Sequence, residues 1–296
     1  MARTSIEKSS GDDVGCVACD DSGARLAVAD DGGDVHVYDV RAGGSSGKGG
    51  KSGFGGLRRA LRAAHAPIAS ACAFRRDEER SQLLTAGLDS TLALWETTSG
   101  KLRRRWNAAA VDRSGEGKMC NPPFVHSVSV DQSGRLAVAA RGDGALGVYS
   151  LHAAALGKGG GGNSMNRRGG RKGAAPPSAP AVHLAQAEPH SAATAAAAFC
   201  GPGDALVASG GVDRRLCLWR WQAPACAELA AGDDDRCDGT ISIETFALKR
   251  KVNALAVLQH STATGSGGGS GSGDGEVVRL AIADTGTKLK LFELRA

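Results

Sequence analysis

The chain has 296 residues, of which 43 are glycine and only 4% are aromatic, and its formal net charge is +5. That length is sufficient for one large folded domain or two small ones. The N-terminus lacks the apolar core of a secretory signal, and the most apolar stretch, residues 192–200, has about half the length of a membrane span. These features argue against a membrane protein, and we expect a cytoplasmic or nuclear one.

Much of the glycine lies in three tracts, at residues 43–56, 157–181 and 261–275. Such segments bury too little apolar surface to offset the entropy lost on ordering, so we expect flexible insertions within a single domain over residues 1–296. The second tract carries five basic residues and no acidic one. It is either a solubilising loop or a nucleic-acid contact.

The remaining chain repeats one pattern five times: an apolar run, a polar turn, and a second apolar run that ends near an aromatic residue. Runs of this length with Gly/Asp turns between them predict β-hairpins. In chain order, the hairpins are predicted at residues 25–40, 82–97, 135–151, 205–221 and 279–294, each preceded by a further apolar run at 14–20, 68–74, 124–130, 194–200 and 252–258.

The spacing within these hairpins is nearly constant. A leucine precedes the aromatic residue by 12 or 13 positions in all five, as in Leu26 to Tyr38 and Leu83 to Trp95. Three to four strands per unit, repeated at fixed geometry, predict an all-β fold, a β-propeller with five recognisable blades.

Two of the units resemble the WD-repeat (WD40) family, which implies WD40-type blades. The residues that match the family's buried hydrogen-bond set are His65, Thr85, Asp89 and Trp95 in the second unit, and His190, Ser209, Asp213 and Trp219 in the fourth. A histidine with an aspartate and a hydroxyl also fits a catalytic triad. Because the set occurs twice at equivalent positions, we expect a structural role and no catalytic residue.

The other three units depart from the family pattern. The third keeps Asp143 but has Ala139 at the hydroxyl position, and the first and fifth have Gly32 and Gly286 where the aspartate would stand. The resemblance is strongest to a group of WD-repeat proteins that has about two more N-terminal blades. We therefore expect either a five-bladed protein or a truncated gene model, with residues 2–9 supplying the outer strand if the ring closes.

The histidine and cysteine residues outside these sets do not predict a metal site. His126 aligns with Ser70 in the first strand of its unit, as a packed structural residue or a partner contact. Cys16 and Cys19 form a CxxC pair, but residues three apart on a strand point to opposite faces and no second pair follows. Cys72 is expected in the core, as are Cys200 and Cys217. We expect no metal and no cofactor.

The resemblance also implies a function. Similar proteins are candidate substrate receptors of cullin-RING ubiquitin ligases, which bind the ligase adaptor through a 16-residue box ending W/Y-D-x-R. Residues 26–41 fit that box and end with Tyr38, Asp39, a valine and Arg41. We expect a non-catalytic protein-interaction scaffold whose partners are proteins, with no small-molecule substrate. The alternative is a nucleic-acid- or chromatin-associated scaffold that uses the basic residues 158–172 and 101–105.

Overall fold

The computed structural model describes residues 12–40, 56–76, 81–111, 121–151, 183–187, 189–201, 206–220, 243–258, 277–286 and 289–295. Within these ranges the chain is all-β apart from a four-residue 3-10 helix at Ala108–Val111. The expected outer strand at 2–9, the tracts 157–181 and 261–275, and residues 43–55 of the first tract lie outside them. Gly56, the last residue of that first tract, begins a strand.

The strands form five antiparallel sheets that follow one another along the chain. The first contains β1 (Val14–Cys19), β2 (Arg25–Asp30), β3 (Val35–Asp39) and β4 (Gly56–Leu61), and the second β5 (Ala69–Phe74), β6 (Gln82–Gly87), β7 (Thr91–Glu96) and β8 (Lys101–Asn107). The third contains β9 (Val125–Val130), β10 (Leu136–Arg141), β11 (Leu146–Ser150) and β12 (His183–Ala187). The fourth contains β13 (Thr194–Cys200), β14 (Leu206–Gly211), β15 (Arg215–Arg220) and β16 (Ile243–Ala247), and the fifth β17 (Val252–Leu258), β18 (Val277–Asp284) and β19 (Leu289–Arg295).

The first strand of every sheet contains a bulge at the same place. One residue there is skipped in the pairing with the second strand, so two residues oppose one and the strand bends. The skipped residues are Gly15, Ser70, His126, Ala195 and Asn253. The five units therefore share local geometry as well as strand order, and His126 occupies the position of Ser70.

The hydrophobic core consists of four layers, each between two consecutive sheets. Aliphatic and aromatic side chains dominate these layers, and the burial of their apolar surface stabilises the stack. Representative residues are Val37 and Phe74 between the first and second sheets, Leu84 and Tyr149 between the second and third, Val138 and Phe199 between the third and fourth, and Leu216 and Ile282 between the fourth and fifth.

The first and last sheets each leave part of their apolar surface in solvent. Val14 and Val17 of β1 are 52% and 55% exposed, and Leu289 and Leu291 of β19 are 65% and 67% exposed. Among the described strands, the extensive contacts between sheets join consecutive ones, through β1 with β5, β5 with β9, β9 with β13 and β13 with β17. This stack is propeller-like, and its described part is open between the fifth and first sheets.

Tight turns fix how neighbouring sheets meet. Gly33 and Gly144, between the second and third strands of their sheets, have φ of +82° and +86°. A Cβ at Gly33 would lie 2.1 Å from the backbone oxygen of His65, and one at Gly144 would lie 2.5 Å from that of His190. Glycine adopts the left-handed backbone without strain, and at these two positions the contact with the start of the next unit leaves no room for a side chain.

Candidate functional site

The second sheet contains a buried chain of side-chain hydrogen bonds. Trp95 Nε1 donates to Thr85 Oγ1 at 2.9 Å, and the same oxygen lies 2.8 Å from His65 Nε2. His65 Nδ1 in turn lies 3.0 Å from Asp89 Oδ1. His65 and Thr85 are almost fully buried, so the bonds satisfy polar groups that water does not reach. The four residues aligned with the WD-repeat set thus form one continuous network.

The aspartate of this network also holds the turn that follows β6. Its carboxylate accepts from the backbone N–H of Thr91 at 3.1 Å and from the Thr91 hydroxyl at 2.8 Å. Arg105 Nη1 of β8 approaches the second carboxylate oxygen at 3.7 Å. Burial alone would raise the pKa of Asp89, but the bonds from His65 and Thr91 outweigh it and lower that pKa.

The fourth sheet has the same arrangement of residues but lacks the hydrogen bond from the tryptophan. His190 Nδ1 lies 3.0 Å from Asp213 Oδ1, and His190 Nε2 lies 2.9 Å from Ser209 Oγ. Trp219 is fully buried, yet its Nε1 has no hydrogen-bond partner among the described residues. Ser209 pairs across the strands with Cys217 just as Thr85 pairs with Ala93, so the backbone register does not explain the missing bond.

Both histidines lie against a glycine that sequence reasoning did not single out. A Cβ at Gly87 would lie 2.5 Å from His65 Cβ, and one at Gly211 would lie 2.6 Å from His190 Nδ1. Each glycine stands two residues before the network aspartate. Any larger residue there would displace the imidazole, so the network requires this glycine as much as it requires the histidine.

The three sheets without the full set carry a charged residue at that glycine position. In the third, Arg141 is 2% exposed and forms an ion pair with Asp143. In the first, the buried Asp30 accepts from the backbone N–H of Asp34 at 2.9 Å and lies 3.6 Å from His36 Nδ1.

In the fifth sheet, Asp284 at the same position holds the turn. Its carboxylate accepts from the backbone N–H of Gly286 at 2.6 Å and pairs with the ammonium group of Lys290. The hydrogen bond from Lys290 lowers the pKa of Asp284. The first and fifth units therefore keep a charged anchor in the turn but move it by two positions, whereas the third keeps Asp143 at the original position and adds Arg141. An alignment of the five repeats would have revealed these residues from the sequence. The position that is glycine in the second and fourth units is charged in the other three, as Asp30, Arg141 and Asp284.

The inner strands of the last three sheets line an open cleft of about 560 Å³, which we call the central cleft. Ser127 and Ser129 of β9, Ala198 of β13, and Leu255 and Val257 of β17 face it. Most of the lining residues have apolar side chains, but the surface that lines the cleft is more polar than apolar, and Ser127, Ser129 and Arg76 contribute to it. His126 lies beside it on β9, where burial lowers its pKa.

The candidate adaptor-binding residues are only partly at the surface. Tyr38 is 4% exposed and packs inside the first sheet. Asp39 forms an ion pair with Arg58 at 2.9 Å, and its side chain is 35% exposed. Arg41 and the basic residues 158–172 lie outside the described residues.

The basic stretch 101–105 forms most of the outer strand β8. Arg103 pairs with Glu96 at 3.3 Å, and Arg105 donates to the backbone oxygen of Ala64 at 2.9 Å in addition to approaching Asp89. Arg104 stacks over Trp106, with its guanidinium carbon 5.6 Å from the ring centre. These arginines are engaged in contacts with their own sheet and with the segment that precedes it.

No His, Cys, Asp and Glu side chains of the described ranges come together in a group that could hold a metal ion. The three predicted core thiols, Cys72, Cys200 and Cys217, are buried. Of the CxxC pair, Cys16 is half-buried and Cys19 is exposed. In the part of the chain that the structure describes, no helix is long and apolar enough to cross a membrane. A scan of the whole chain against models of known protein families gives no match.

Proposed function

We propose that this protein is a non-catalytic, WD40-type interaction scaffold that binds a polypeptide in its central cleft. The proposal rests first on the duplicated His–Asp networks. Both are buried, occupy equivalent places, and use their hydrogen bonds to hold a turn. Their repetition supports a structural role, since a catalytic centre would be expected once and open to substrate.

The central cleft is the observation that carries the proposal. Each inner strand that lines it is the edge of its sheet and, among the described strands, pairs on one side only. Such an edge offers backbone N–H and C=O groups to an extended segment, and the small side chains of Ser129 and Ala198 leave space for it. This combination favours a polypeptide partner over a small molecule.

The identity of the wider assembly follows from resemblance. Residues 86–95, 121–130 and 209–219 are similar to stretches of WD repeat-containing protein 53. Proteins similar to it are candidate substrate receptors of cullin-RING ubiquitin ligases, and the box at 26–41 has the required length and ending. We therefore propose that the first sheet binds the ligase adaptor, while the central cleft holds the substrate.

The adaptor contact is tested by quantitative pull-down of the purified adaptor. Arg41→Ala removes the terminal arginine of the box and its charge-assisted hydrogen bonds, so adaptor recovery should fall at least about tenfold. Arg62→Ala is the matched control, because Arg62 is exposed and pairs with Asp34 in the same sheet. Equal recovery with wild type and Arg41→Ala would refute the adaptor proposal.

The cleft is tested independently by site-specific photo-crosslinking in cells. A photoreactive residue at Ser129 should capture a discrete polypeptide, and a second substitution in the cleft, Ala198→Arg, should abolish that product by filling the space. The control places the same photoreactive residue at Ser99, in the exposed turn before β8. The cleft proposal fails if both positions give the same products.

The nucleic-acid alternative remains as an outcome of the same experiments. It gains little from β8, where Arg103 and Arg105 already have acidic partners. RNA crosslinked at Ser129, with an affinity that falls steeply as salt rises, would replace the polypeptide proposal.

A further inference from the structure

Two cysteines lie face to face where the first and second sheets meet. Cys16 follows the bulge of β1, and Cys72 occupies the middle of β5. Their sulfur atoms are 3.9 Å apart. Cys72 is 5% exposed and belongs to the core between the two sheets, whereas Cys16 is half-buried and packs against the margin of that core.

The surroundings make the two thiols unequal. The Cys72 thiol donates a hydrogen bond towards the Cys16 sulfur, and together with backbone N–H donors this lowers the pKa of Cys16 to about 6, although burial opposes the shift. The same interaction and burial raise the pKa of Cys72. At neutral pH the accessible thiol is therefore the ionised, nucleophilic one, and the buried thiol keeps its proton.

We propose that Cys16 and Cys72 form a thiol–disulfide exchange site that takes small disulfides such as glutathione disulfide and closes a bond between the first and second sheets. Cys16 is the attacking sulfur and Cys72 the resolving one. The site is separate from the central cleft and from the candidate adaptor contact, and it does not depend on the proposed function.

The reaction proceeds in two exchanges. The Cys16 thiolate attacks one sulfur of glutathione disulfide, whose S–S bond breaks as one glutathione thiolate leaves and takes up a proton. Cys72 then gives its proton to water and attacks the Cys16 sulfur, releasing the second glutathione. Two protein thiols are oxidised by two electrons, and one glutathione disulfide is reduced to two glutathione molecules.

The geometry permits the second step with a small movement. A disulfide requires the sulfur atoms at about 2.05 Å, so they must approach by roughly 2 Å. Cys16 lies on the first sheet of the stack, which packs against a neighbour on one side only among the described strands. Cys19 cannot replace Cys72, because it lies three residues along β1 and points to the other face.

The test uses the full chain with Cys19→Ser, which removes an exposed thiol and leaves both partners intact. Incubation with glutathione disulfide at neutral pH should lower the mass by about 2 Da as two hydrogens leave. Trypsin should then release residues 9–25 joined to residues 63–75, since these peptides contain Cys16 and Cys72. Adding Cys16→Ser should abolish the joined peptides.

Reactivity provides a second readout. Alkylation of Cys16 at pH 7 should exceed that of Cys19 by about tenfold, and Cys72→Ala should move the midpoint of its pH profile upward. A glutathione adduct on Cys16 that persists without forming the 16–72 bond would overturn the proposal. So would a bond from Cys16 to any other cysteine, or no change in mass.

Discussion

Thr85 stands at the centre of its network, where one hydroxyl oxygen serves both an indole and an imidazole. Replacing it with valine keeps the shape of the side chain but leaves two buried nitrogen atoms without partners. Each buried donor or acceptor left unsatisfied costs about 1–3 kcal/mol. The corresponding hydroxyl of Ser209 bonds to the imidazole of His190 but not to Trp219, whose Nε1 has no partner among the described residues.

We therefore predict that Thr85→Val lowers the free energy of unfolding by about 1–2 kcal/mol more than Ser209→Ala does. Urea denaturation of both variants beside wild type measures the difference. An equal loss would mean that the indole bond of Trp95 contributes nothing to stability.

Two histidines make stability depend on pH in the same direction. Burial lowers the folded-state pKa of His190, despite the opposing bond from Asp213, and burial also lowers that of His126. Between the ordinary value of 6.5 and the lower folded value, the unfolded chain binds more protons than the folded one. The stabilisation is thus complete above pH 6.5 and is lost as the pH falls through the folded-state pKa.

The free energy of unfolding should accordingly decrease as the pH falls from about 7 to below the ordinary histidine value of 6.5, and His126→Gln should reduce that slope. His126 is preferable to His190 for the test because it lies outside the hydrogen-bond networks. Urea titrations at several pH values give the slope for both proteins. An unchanged slope in the variant would assign the whole dependence to other groups.

The family pattern predicts eight residues for the two networks, because it places them at fixed distances from an aromatic residue, and hydrogen bonds join seven of them. It did not reveal that Trp219 lacks its bond, since a hydrogen bond depends on side-chain placement that spacing does not specify. The sequence also gave no indication that Cys16 and Cys72 lie next to each other. They are 56 positions apart and become neighbours only when the first two sheets pack.

At the scale of the strand and turn, a residue with left-handed backbone conformation recurs in the turn between the second and third strands of a sheet, where that turn meets the next unit. Gly33 and Gly144 use glycine there, whereas Ser90 and Arg214 occupy the equivalent turn position with φ of +59° and +65°. A non-glycine residue in this conformation costs about 1–2 kcal/mol. The cost at Gly144 would be higher, because a side chain there would also meet the backbone of the fourth unit.

We predict that Gly144→Ala lowers the free energy of unfolding by at least about 2 kcal/mol. Gly56→Ala is the matched control, since a Cβ there meets nothing within 4 Å, and its effect should stay within about 0.5 kcal/mol. Thermal and urea denaturation both report the change. Similar values for the two variants would show that the turn does not require glycine.

The first three strands of each sheet were predictable because their apolar runs are bounded by turn residues. The outer strands were not. β8 is largely arginine and β4 begins within a glycine tract, so neither shows the alternation of a half-buried strand. Their pairing follows from the third strand of the sheet, which presents a free edge, and this information lies outside their own sequences.

At the scale of the whole molecule, the extensive contacts between sheets join consecutive sheets among the described strands. Inner sheets are covered on both faces, while the first and fifth sheets leave Val17 and Leu291 in solvent. Local stability should therefore be lower at the two ends of the stack than in its middle. The repeat predicted five units and their order. It could not predict whether the ring closes, which depends on contacts between sheets that lie farthest apart in the sequence.

Hydrogen exchange measured by mass spectrometry tests this gradient. Amides of β18, the central strand of the fifth sheet, should exchange at least about tenfold faster than those of β10 in the third. Both strands pair on two sides, so sheet pairing is matched and only the packing of the sheet faces differs. Equal protection would indicate that the end sheets are covered after all.

The one-sided packing of the end sheets has a mechanical consequence. If an optical trap pulls on the two termini, the load reaches the outermost units first, and among the described strands each of them is held by a single extensive interface. Extension should then proceed as a series of small rips, beginning at one terminus, in place of one large event. A ring closed by contacts between its first and last units would resist the force until those contacts broke, and it would then unfold in one large extension.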